Sequence, residues 1–142
     1  MRYRHVGSRL GYAEGRGGSI VWRTQTIVLQ PVAWQPAADV CESEGSIGVM
    51  VDLAGVGDEE VEISVYPDAL VVEGSRGSMT CPGGGVFHRA EIRSGPFRLV
   101  LPLPGPVESE RVTAHFERGL LLLELPKAGR AAERGSAGRH AS

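Results

Sequence analysis

A chain of 142 residues with 42% hydrophobic side chains can close one core with some length to spare, and its 20 glycines and 9 prolines against 6% aromatics favour short strands and turns over long helices. The net charge of −2 hides a segregation: residues 1–35 carry five Arg against Glu14, and residues 127–142 carry Lys127, Arg130, Arg134 and Arg139 against Glu133, while the middle is strongly acidic. An acidic body with basic ends lacks the concentrated basic face that a phosphate backbone requires, and no apolar run reaches the 18 residues of a membrane span, so neither nucleic acid nor membrane is an expected partner.

In chain order, residues 1–33 mix Arg and Gly with scattered apolar side chains and predict a loosely ordered arm, in which only Ser19 to Leu29 has strand-like composition. From Trp34 the pattern changes to period-2 alternation. Asp39 to Glu42 opens the series. Ile47, Val49, Val51 and Leu53 then share one face up to Gly55, and Val61, Ile63 and Val65 repeat it. Pro67-Asp68 supplies a turn before Leu70 and Val72. Residues 75–94 form a long polar, glycine-rich segment whose one marked apolar cluster is Val86-Phe87. A loop of that length in a compact fold points to function. Phe97, Leu99, Leu101 and Leu103 form the next face, and the segments 112–116 and 120–125 flank Gly119 as a hairpin. Seven or eight such strands predict an all-β fold, an antiparallel immunoglobulin-like β-sandwich. After Lys127 no apolar residue is larger than Ala, which predicts a disordered tail.

Candidate chemistry is sparse. Cys41 and Cys81 form no CxxC pair and have no histidines at metal-ligand spacing, so no metal is expected and both are read as buried or free thiols. With no signal-peptide pattern after Arg2 and Arg4, the expected setting is the reducing cytoplasm. Cys81 with His88, or His88 with Glu91, could be imagined as nucleophile and base, but both pairs sit in a glycine-rich loop without a rigid scaffold. His115 alternates with Ala114 and Phe116 as an ordinary strand residue. Gly83-Gly84-Gly85 lacks the Lys of a phosphate loop, so no cofactor and no coupling to ATP are expected. Catalysis is not expected.

The segment from Pro36 to Lys127 resembles the alpha-crystallin domain of the small heat shock protein (Hsp20) family, bacterial type, through an ordered set of motifs. Pro36-Ala37-Ala38-Asp39-Val40-Cys41-Glu42 is similar to the family's P-x-x-D-[IV]-x-E, and Val51-Asp52-Leu53-Ala54-Gly55-Val56 to V-D-L-P-G-V with Ala54 for proline. Glu60 to Val65 resembles the family's fourth core strand, and Leu70 to Arg76 resembles L-x-[IV]-x-G-x-R. Phe87-His88-Arg89-Ala90-Glu91 resembles [YF]-x-R-x-E, and Gly95-Pro96-Phe97 and Leu103-Pro104 resemble G-x-F and L-P. Ala114 to Leu121 is similar to A-x-x-x-[ND]-G-x-L, and Leu125-Pro126-Lys127 closes the domain. Three departures stand out: Leu99 replaces the Arg usual two residues after the Phe, Arg118 replaces the Asn or Asp before Gly119, and the tail lacks the [IV]-x-[IV] motif that joins dimers into larger assemblies.

The resemblance implies a division into a variable arm (1–35), an alpha-crystallin domain (36–127) and a tail (128–142). It implies an ATP-independent holdase, a chaperone in the stress response that binds unfolding client proteins, with a p23/CS-like co-chaperone or adaptor as the alternative reading. It also implies a homodimer in which Val86, Phe87, His88 and Arg89, with Glu91 beside them, form a strand that pairs with Asp39, Val40, Cys41 and Glu42 of a partner. Clients would meet Tyr12, Ile20, Val21, Trp22, Ile27 and Leu29 of the arm. A groove lined by Ile63, Val65, Val112 and Phe116 would otherwise take the missing tail motif. Ile27-Val28-Leu29 is the expected substitute occupant, which limits assembly beyond the dimer to small or labile forms.

Overall fold

A computed structural model of the chain describes residues 1–5 and 33–129. Eight strands run in the order β1 (Arg2–His5), β2 (Ala38–Glu42), β3 (Ser46–Asp52), β4 (Val61–Val65), β5 (Ala69–Arg76), β6 (Gly95–Pro102), β7 (Thr113–Glu117) and β8 (Leu120–Pro126). They form two four-stranded sheets, β1-β4-β5-β6 and β2-β3-β8-β7, every pairing antiparallel except that of β1 with β4.

The alternating faces read from the sequence close on one another as a sandwich. Ile47, Val49 and Val51 of β3 meet Leu121, Leu123 and Leu125 of β8 in register and pack with Ile63, Val65, Leu70, Val72, Phe97 and Leu99 of the other sheet. Each such side chain, fully buried, contributes about 1.5–3 kcal/mol, which makes this core the main stabilising element. Gly74 is required where β5 passes under Phe97, because a Cβ there would lie 2.6 Å from the Phe97 ring and 2.1 Å from the Glu60 carbonyl oxygen.

Leu99 lies in this core, so the residue that departs from the family pattern is an apolar packing residue. The neighbouring Arg98 points away and pairs within the chain with Glu73 across β5–β6, at 3.3 Å. In the β7–β8 hairpin not only Gly119 (φ 81) but also Arg118 (φ 51) is left-handed. The two-residue turn therefore carries positive φ at both central positions, the geometry that matches strand twist.

Within the arm expected over residues 1–33, Arg2–His5 departs from loose order: it is a strand laid parallel along β4, pairing Arg2 with Glu62 through to His5 with Val65. Met1 packs against the core, and Tyr3 stands level with the buried Ile63. The Ser19–Leu29 segment lies outside the described residues.

Candidate functional site

Backbone polar groups at the rim of a sheet are a ready template for another chain, so the treatment of each rim decides what the molecule can bind. On the β4 side, β1 takes the rim position. Arg4 pairs with Glu62 at 3.0 Å on the outward face, and desolvation pushes the Tyr3 hydroxyl up to about 12. Ile63 and Val65 are fully buried, and Val112 and Phe116 are half-buried against the same core. Ile63 and Val65, expected to line the groove for Ile27-Val28-Leu29, stand on a strand whose edge is paired by Arg2–His5, while Ile27 and Leu29 lie outside the described residues.

The β2 rim is different. Among the described residues β2 pairs only with β3, and Asp39, Val40, Cys41 and Glu42 are all exposed, Val40 at 41%. Cys41 lies opposite Gly48, where a Cβ would come within 2.7 Å of its Sγ; the glycine makes room for the thiol. Glu42 is held by Lys127 from the end of β8, which fixes the tip of the rim to the body.

The loop 77–94 leaves β5 and returns to β6 with a single short 3-10 turn at Pro82–Gly84. Every residue in it is exposed except the half-buried Cys81. Four large apolar side chains stand in solvent: Met79 (83%), Val86 (79%), Phe87 (56%) and Ile92 (83%). Val86–Arg89 belongs to no strand of this chain, His88 is exposed, and Arg89 pairs with Glu91 at 3.1 Å. That exposed pair is worth about 0–1 kcal/mol. An apolar string held in water is a surface suited to a partner.

Of the residues expected to act, the structure places Asp39 to Glu42 on the open rim and Val86 to Arg89 and Glu91 in the exposed loop. Tyr12, Ile20, Val21, Trp22, Ile27 and Leu29 lie outside the described residues. Sequence reasoning passed over Met79 and Ile92, whose apolar character in a polar segment was the available signal. It also passed over the role of Trp34 and Arg76 at the loop's neck. Among the described residues no group of three or more His, Cys, Asp or Glu is set to hold a metal, and no helix is long and apolar enough to cross a membrane. His115 is an exposed strand residue 3.9 Å from Glu117.

With this geometry in hand, comparison with known proteins is informative. The family model described as Hsp20/alpha crystallin family matches residues 39–139. The 18 kDa heat shock protein of Streptomyces albus is 34% identical over 112 residues, 73% of this chain and 76% of that protein. The small heat shock protein C4 of Rickettsia felis is 29% identical over 92 residues, 65% of this chain; the chain spans little more than half of that relative's length, 56%. Among solved structures, hspA of Xanthomonas axonopodis superposes with a TM-score of 0.61 at 27% identity, covering 68% of this chain and 97% of that one.

Proposed function

The chain belongs to the Hsp20/alpha crystallin family, and from that premise we propose that it is an ATP-independent holdase, a cytoplasmic chaperone that binds unfolding proteins and keeps them from aggregating. The observation that carries the reading is the pairing of an unfilled rim at Ala38–Glu42 with a loop that holds Met79, Val86, Phe87 and Ile92 in solvent. A surface of that kind, with no enclosed cleft and no cluster of reactive groups among the described residues, suits binding of other chains rather than chemistry on a small substrate.

In this reading Val86–Arg89, with Glu91, reaches a second copy and adds to its Asp39–Glu42 rim, which makes the working unit a homodimer. The body spans residues 36–127, with residues 1–35 as an arm and 128–142 as a tail. Tyr12, Ile20, Val21, Trp22, Ile27 and Leu29 are the client contacts, adaptable apolar side chains set among Arg and Gly. The test is light scattering of a heated test protein mixed with the full chain, with and without ATP. Suppression that is independent of ATP is the expected result. No suppression by a protein that stays monomeric sinks the holdase reading and favours an adaptor of the p23/CS kind.

A further inference from the structure

The loop 77–94 is exposed along almost its whole length, yet its neck is tied. Arg76, the last residue of β5, donates from Nε to the Arg93 carbonyl at 2.7 Å and from an Nη to the Ala54 carbonyl at 3.2 Å. Its guanidinium also lies over the Trp34 ring, 4.3 Å from the centroid. Trp34 in turn donates from Nε1 to the Gly95 carbonyl at 3.2 Å. Its backbone bridges β6 on both sides, with its N–H on the Pro96 carbonyl and its carbonyl accepting from the Arg98 N–H, and its ring tilts against Phe97 at 5.4 Å. Two carbonyls at the loop's return, Arg93 and Gly95, are therefore held by two different side chains that are stacked on each other. Gly95 itself is left-handed (φ 85), so the chain turns sharply at that point and its heading depends on those two bonds.

Arginine suits this junction because its planar fork bonds two carbonyls while its flat face covers the indole, an arrangement a lysine ammonium cannot hold in one fixed geometry.

We propose that Arg76 and Trp34 form a latch that fixes the neck of the 77–94 loop. Both are positioning residues for the loop's reach to its partner. The inference rests on the loop-mediated dimer proposed above.

The experiment measures the dimer dissociation constant of the full chain by sedimentation across a dilution series for Arg76→Ala, Arg76→Lys, Trp34→Ala, Trp34→Phe and the double alanine variant. Circular dichroism confirms that each is folded. Arg76→Ala and Trp34→Ala are each expected to weaken the dimer about tenfold, the scale of a lost charge-assisted hydrogen bond with its stacking contact. The double variant is expected to be no weaker than either single one, because the two act as one unit. Arg76→Lys should not restore the dimer, while Trp34→Phe, which keeps a stacked ring, should restore part of it. Additive effects, or a dissociation constant within twofold of wild type in folded Arg76→Ala and Arg76→Lys, overturn the latch. Removal of Gly83–Arg89 separates the two ideas: if that variant stays dimeric the loop-mediated dimer itself fails, and if it is monomeric while Arg76→Ala is unaffected only the latch fails.

Discussion

The β4 and β2 rims of the sandwich present the same backbone chemistry and receive opposite treatment. Along β4 the chain lays down its own strand, with Met1 packed on the core and Arg4 outward on Glu62. Along β2 nothing in the described residues follows, and the exposed Val40 and Cys41 are left beside solvent. A bare edge is a liability in any β protein, and covering it or charging it is the usual remedy. Pairing the β4 edge within the chain closes it to a partner strand, while the β2 edge remains open to one.

The contrast can be broken most forcefully at the loop. Deleting Gly83–Arg89 should halve the particle mass in light scattering, since the β2 rim loses its complement; an unchanged dimer mass would mean that the rim is not where copies meet. Removing residues 1–5 should make the β4 edge resemble the β2 edge. Loss of the Met1 contact and of the β1–β4 pairing should lower stability by about 1–3 kcal/mol, read as the urea midpoint, and new concentration-dependent association should appear above the dimer. A truncated chain with the same midpoint and the same mass would show that β1 protects nothing.

A subtler probe is alkali. Burial raises the Tyr3 hydroxyl from its ordinary value near 10 to about 12, so the neutral phenol is the form the docked strand favours. Its contribution is fully present below pH 10 and is lost as pH rises through about 12, because the unfolded chain gives up the proton first. Tyr3→Phe should remove that component of the alkaline decline, measured as the difference between the two stability profiles from pH 9 to 12; identical profiles would place the phenol in water. The smallest effect belongs to Arg4–Glu62, an exposed pair whose double-mutant cycle should give no more than about 1 kcal/mol, shrinking with added salt.

The sandwich itself was legible because period-2 alternation is a local signal. Ile47, Val49 and Val51, or Leu121, Leu123 and Leu125, announce a buried face whatever they pack against. The exposed loop was legible too, since a long run of Gly, Ser and charge cannot be a core element. What escaped was held by partners remote in sequence. Arg2–His5 is four residues of alternating charge and ring, too short to show periodicity, and it becomes a strand only because Val61–Val65 offers an edge. Likewise Arg76 ends a recognisable motif, but nothing in that motif shows that Trp34 will lie beneath its guanidinium. Leu99 departs from the family's usual Arg, and alternation alone already placed it on the core face with Phe97.

The parallel seating of β1 also has a consequence for the order of events in folding. Hairpins such as β4–β5 and β7–β8 join neighbours in sequence and close early, whereas the β1–β4 pair spans a long stretch of chain and must wait for the sheet it joins. Each newly made molecule therefore passes through an interval in which the β4 edge is bare as well as the β2 edge. Refolding yield should fall with protein concentration more steeply than the finished protein's solubility would suggest, with the vulnerability confined to the time before the N-terminal strand arrives.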